Sequence, residues 1–137
     1  MNWNIGIAME YKLIKHPVHP IHILNINGYI ASDELIQMVK ELWKNDEYLS
    51  ATHMMWDFSL SESNYYFEDI FKLFQFVKKN KHSQMLKMLA IVAPKDNEFG
   101  ISRMYAMLNE SDNPKIEVYR EIVDAEQWLL ESQFSKA

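Results

Sequence analysis

The sequence predicts a single α/β domain with a mixed, mostly parallel sheet, in the order β-β-α-β-α-β-α-β-α. Three observations predict it. Segments of strand period alternate with segments of helical period along the chain, as they do when helices cross over between neighbouring strands. MLAIVA, residues 88–93, is a continuous apolar run ended by Pro94, as expected of a central parallel strand buried on both faces. The first two strand segments are separated only by a short proline-bounded connection, so they form a hairpin and make the sheet mixed.

YKLIKH (11–16) reads as the first strand, with Leu13 and His16 on opposite faces, and IHILNING (21–28) as the second, ending at the turn residue Gly28. A first helix follows. Ser32 is its expected N-cap, Asp33 and Glu34 suit the positive first turn, and Leu35, Ile36, Val39, Leu42 and Trp43 recur at helical spacing. HMMWDF (53–58) reads as a strand and SLSESN after it as a polar turn. NYYFEDIFKLFQFVKKNK (64–81) is the second helix, capped by Asn64 or Ser63. A third helix carries Ile101, Met104, Tyr105 and Leu108 on one stripe. IEVYR (116–120) is the last strand, and VDAEQWLL closes the domain with a capping-box pattern of Asp124 and Gln127. No internal repeat or linker interrupts the 137 residues, so they are read as one domain with an ordered core from about residue 11 to residue 130.

Composition narrows the function. Nearly half of the residues are apolar and only three are glycine, enough to bury a proper core. The absence of cysteine excludes disulfides, thiolate metal sites and cysteine nucleophiles, and it fits a reducing compartment. A net charge of −5 argues against binding nucleic acid, which needs clustered Lys and Arg. No apolar run approaches the ~20 residues of a membrane span. The opening MNWNIGIAMEYK lacks the basic region and long apolar core of a signal peptide. The expectation is a cytoplasmic protein with no membrane or nucleic-acid partner.

The histidines of HPVHPIH, His16, His19 and His22, raise the question of a metal site. At three residues per turn of an extended proline-rich segment they point the same way, but neighbours stand ~9 Å apart. Zinc requires each imidazole nitrogen within ~2.1 Å of one ion. The expected reading is an exposed hairpin loop and no metal. His53 and Asp57 share one strand face but lie ~13 Å apart along it, too far for a charge relay. His82 is placed in an exposed turn after the second helix. There is no nucleophile elbow, phosphate loop or H-E-x-x-H pattern, so the chain is not read as an enzyme.

Two features point to binding. On the second helix, Phe67, Ile70, Phe71, Phe74 and Val77 make a core stripe, which Tyr66 and Leu73 widen. Tyr65 and Phe76 fall outside it, on a flank carrying Asp69 and Lys72, and form a candidate contact patch for a second copy or a ligand. The third helix is capped by Asp96 or Asn97 and has Gly100 in its first turn, which implies close approach of something to the backbone. With Arg103 one turn on, these residues are a candidate anion or ligand site at a helix N-terminus.

WDFS, its polar turn and the next helix resemble the region of STAS domains, the SpoIIAA-like anti-sigma-factor antagonists, where a strand end leads to a phosphorylatable serine. AIVAPKDNEFGISRMYAML and IEVYREIVDAEQWL resemble an uncharacterised bacterial branch of that superfamily. The resemblance runs from about Tyr11 to Leu129. It implies a mixed sheet with helices largely on one face, no cofactor, and a role in protein–protein regulation. Aligning Asp57 and Ser59 with the strand-end pair puts Tyr66 near the phosphoacceptor position; the glycine that usually follows is absent, with Glu68 nearby. Ser61 or Ser63 would then have to substitute by position, and the phosphoserine switch is not expected to be intact. The expected function is therefore a STAS-like interaction module that pairs with itself, as a homodimer, or with a regulatory protein. The alternative is a carrier or sensor of a small apolar ligand or lipid.

Overall fold

Among the described residues, five strands form the sheet and lie side by side in chain order, β1-β2-β3-β4-β5. They are β1 Glu10–Lys15, β2 His22–Ile30, β3 His53–Ser63, β4 Met88–Val92 and β5 Lys115–Tyr119. β1 runs antiparallel to β2, and the other three pairings are parallel. The helices are α1 Glu34–Leu42, α2 Asp46–Ser50, α3 Phe67–Lys79, α4 Asp96–Leu108 and α5 Ile122–Phe134. The computed structural model describes residues 8–80, 84–111 and 113–134. His82 lies outside the described residues, as do the first seven positions of the opening segment.

MLAIVA holds the place expected of it. β4 lies between β3 and β5, and its alternate residues enter two separate cores. Leu89 and Ile91 join the larger one, with Leu24, Ile26, Met54 and Trp56 from the sheet. Leu35, Met38, Val39 and Leu42 of α1, Ile70 and Leu73 of α3, and Tyr105 of α4 cover it. Ala90 and Val92 face the other way, where with Ile21 and Met55 they meet Ala125 and Leu129 of α5. The helices thus sit mostly on one face. Each large aliphatic side chain so buried stabilises the fold by about 1.5–3 kcal/mol relative to exposure.

The structure corrects the sequence reading at several boundaries. SLSES is not a turn: β3 continues through Ser63, and β2 continues past Gly28 to Ile30 as its partner. Asn25 pairs with Asp57 and Asn27 with Leu60, so Phe58 and Ser59 together oppose Ile26 in a β-bulge. The extra residue exchanges the faces of β3. Met54, Trp56 and Phe58 point into the larger core before the bulge, whereas Ser61 and Ser63, opposite Gly28 and Ile30, take that side after it. Gly28 has φ 90, a left-handed conformation that glycine adopts without a Cβ clash.

A short helix, α2, was not anticipated; its N-cap Asn45 accepts a hydrogen bond from the Tyr48 N–H at 3.2 Å. Four other caps differ from those expected. Asp33 rather than Ser32 precedes α1, and Glu34 accepts the Ala31 N–H at 2.7 Å. Tyr66 precedes α3, and Asp69 accepts its N–H at 2.9 Å. Lys95 precedes α4, which places Asp96 and Asn97 inside that helix. α5 begins at Ile122, so Asp124 lies in its first turn and the Gln127 amide donates to Glu131 at 3.1 Å.

Replacing Gly28 by Ala should destabilise the fold by about 1–2 kcal/mol, the cost of forcing a side chain into left-handed backbone. Equilibrium urea unfolding of the two proteins checks this, and an unchanged midpoint would remove the conformational argument.

Candidate functional site

The polar residues Asp57, Ser59, Ser61 and Ser63 lie along the second half of β3, and each is engaged. The Ser59 hydroxyl and N–H both donate to Asp57 Oδ1, at 2.5 and 2.9 Å. Ser61 is 1% exposed and donates to the Phe58 carbonyl at 3.0 Å. The Ser63 hydroxyl and N–H share Glu98 Oε2 at 3.2 Å, joining the end of β3 to α4. Lys95 adds a second tie, donating to the Ser61 carbonyl and pairing with Glu62 at 3.1 Å. Tyr66, in contrast, stands 73% exposed immediately before α3.

The proposed anion site does not assemble in the expected way. Asp96 accepts from Arg120 Nη1 at 2.8 Å, and the same guanidinium donates to the Pro94 carbonyl and lies 4.2 Å from the Phe99 ring centroid. Arg103 lies over the same ring at 5.9 Å. Gly100 faces solvent, and a Cβ built there would meet nothing within 4 Å. No other part of the described protein thus approaches this glycine. Its neighbour Met104 is 40% exposed, and buried Ser102 takes the inward place expected of that methionine.

Helix α3 is rotated relative to the sequence reading, which moves the candidate patch. Tyr65 belongs to the extended entry of the helix and is only 4% exposed; its hydroxyl donates to the Ala31 and Ser32 carbonyls, both at 2.9 Å. Phe76 is half-buried, stacked on Trp43 at 5.6 Å with the Lys40 ammonium over its ring. Neither residue forms a free flank. The inward stripe runs along Ile70, Leu73 and Val77. That leaves Phe67 at 49% and Phe71 at 36% exposure on the side opposite Phe76. Their rings stack at 5.7 Å, Phe71 meets Phe74 at 6.1 Å, and the Lys78 ammonium covers Phe74 at 5.5 Å. Asp69 serves the helix cap, and Lys72 is exposed.

The histidine loop is bound to the rest of the domain by carboxylates. His16 Nδ1 accepts the N–H groups of Val18 and His19, so its Nε2 carries the proton donated to Glu126 of α5 at 2.8 Å. His22 contacts Glu47 at 2.8 Å, and Lys15 reaches the same carboxylate at 3.3 Å; these neighbours hold the Glu47 carboxyl below its usual range. Among the described residues no group of three or more acidic or histidine side chains is placed to hold a metal ion. Beneath α3 and α4, a cavity of about 40 Å³ is lined by Trp56, Phe58, Tyr65 and Ile101, and a second of about 60 Å³ lies between Trp43, Leu86 and Tyr105.

No protein-family model matches the sequence, and no curated protein matches it. Solved structures do. An uncharacterized protein of the DUF3478 family with a SpoIIAA-like fold, from Shewanella loihica PV-4, superposes with a TM-score of 0.56 at 13% identity, over 88% of this chain and 93% of the other. The chain has the SpoIIAA-like fold. An anti-sigma factor antagonist from Mycobacterium paratuberculosis superposes with a TM-score of 0.55 at 11% identity, over 90% of this chain and 95% of its own. The SpoIIAA-like arrangement agrees with the fold expected from WDFS and AIVAPKDNEFGISRMYAML. Among the described residues no helix is long and apolar enough to cross a membrane.

Two measurements follow from the site. Gly100→Ala should stabilise the protein by up to about 1 kcal/mol, because an exposed mid-helix glycine costs that much and no neighbour opposes a methyl group. A lower unfolding midpoint would reverse this account of Gly100. Burial also pushes the Tyr48 and Tyr65 hydroxyls up, and that of Tyr105 up to about 12. The unfolded chain therefore releases these protons first, near pH 10. Stability should be fully present below pH 10 and fall as the pH rises toward 12. Thermal melts across that range, with tyrosinate absorbance, check it; a flat profile would contradict the burial of these rings.

Proposed function

We propose that this protein is a non-enzymatic regulatory module that acts by binding other protein surfaces, without a phosphoserine switch. The observation that carries the reading is the row of stacked, solvent-facing rings Phe67 and Phe71, with Phe74 behind them, beside exposed Tyr66. Surface aromatics in a contiguous row mark contact sites, since each ring buries a large apolar area when covered and loses little side-chain freedom. The serines at the end of β3 support the second half of the reading. One is buried, and the other two are bonded to carboxylates. The kinship in fold with a protein named as an anti-sigma factor antagonist fits a protein partner. The cysteine-free composition fits action in the cytoplasm.

The cavities favour this reading over a carrier of lipids or small apolar ligands. The two beneath the helices, at about 40 and 60 Å³, are well below the ~150 Å³ of an apolar cavity that accepts benzene, and the larger hollows of about 270, 390 and 470 Å³ are open at the surface. The test is capture from extracts of the cell of origin, with the parent protein and Phe71→Asp as baits. The parent should retain a defined protein that the variant, folded by circular dichroism, loses. Identical capture by both baits would count against this face, and a tightly bound lipid in the purified protein would favour the carrier.

A further inference from the structure

We infer that the exposed face of α3 pairs with the same face of a second copy, the two helices running antiparallel about a two-fold axis near Lys72. This inference rests on the reading of α3 as an interaction surface and names the occupant. The argument is charge complementarity. Phe67 and Glu68 open the face in the first turn, Phe71 lies one turn on, and Lys78 stands at the other end in the last turn. A surface that carries acid at one end, base at the other and an aromatic ring between them complements its own copy when turned through 180°. Glu68 then faces Lys78 of the other copy at both ends of the contact, and the Phe71 rings meet near the axis. The helix dipoles also oppose each other. A parallel arrangement would instead set Glu68 against Glu68 and Lys78 against Lys78.

The size of the face sets the strength. Thirteen residues make a helix ~20 Å long, which alone covers less than the ~800 Å² per partner of a standard interface. The helix packed beside α3, α4, also carries an exposed methionine, Met104. The pairing is therefore a reversible dimer with a dissociation constant in the micromolar range. Surface ion pairs contribute little affinity and are screened by salt, so they set the direction of pairing while the rings supply most of its energy.

The chain has no cysteine, which makes the orientation directly measurable. Glu68→Cys and Lys78→Cys are prepared as separate single variants, and a thiol cross-linker spanning less than about one interaxial distance, ~10 Å, is added. Antiparallel pairing yields cross-linked dimer when the two variants are mixed and little from Glu68→Cys alone, because its two thiols lie roughly a ten-residue helix length, ~15 Å, apart. Dimer from Glu68→Cys alone that equals the mixture would overturn the orientation. Sedimentation of the parent should show its mass rising from monomer toward dimer with concentration, and Phe71→Asp should weaken this by about tenfold or more. A parent that stays monomeric throughout, with no cross-linking in the mixture, overturns self-pairing. Should that parent still capture a protein that Phe71→Asp loses, self-pairing alone has failed; loss of both results removes the interaction reading as well.

Discussion

The two-sided burial of β4 is the constraint on which the rest of the structure depends. A parallel strand flanked on both edges by hydrogen-bonded neighbours has only its two faces left for side chains, and Leu89, Ala90, Ile91 and Val92 are apolar on both. Each face must be covered by something apolar. The larger core recruits three helices in front, whereas small Ala90 and Ala125 let α5 approach closely behind. The consequence reaches the surface. With α1, α3 and α4 side by side over one face, α3 is held between two neighbours and has only its outer side free.

That placement explains which parts of the fold were legible in the sequence. β4 was readable because an unbroken apolar run of strand length bounded by proline admits few other readings, and the hairpin was readable from its short connection. The end of β3 was not. Its residues Ser59, Ser61, Glu62 and Ser63 have turn-like composition, and the bulge at Phe58 and Ser59 breaks the period of two that identifies a strand. What keeps that segment extended is pairing with the end of β2, a non-local interaction, in which Gly28 with its left-handed backbone pairs with Ser61.

Exposed aromatic rings on the second long helix were legible in kind but not in detail. They were expected at Tyr65 and Phe76, and the structure exposes Phe67 and Phe71 instead. Helix α3 carries apolar side chains around so much of its circumference that helical period alone could not choose the inward side. Two contacts outside the helix choose it: the Tyr65 hydroxyl tied to the turn before α1, and Phe76 stacked on Trp43. Both draw in the residues that period had placed outside, and Phe67 and Phe71 are turned outward as a result. Lys40 and Trp43 were the available signal, since a cation and an indole spaced three apart on α1 offer a ring a place to lie.

The rim of the sheet and the face of α3 differ in the same physical respect. At the rim, Ser59 is satisfied by Asp57, Ser63 by Glu98 and Asp96 by Arg120, so an incoming ligand would have to break bonds already made. On α3, the exposed rings are in contact with water, and covering them releases that water without breaking a protein hydrogen bond. Lys78 shields only Phe74. A new contact is therefore favoured on the helix and disfavoured at the rim, even though the rim holds more of the chemically versatile side chains. In this protein the fold has closed the place where its polar groups meet and left open a face whose chemistry is apolar area bounded by opposite charges.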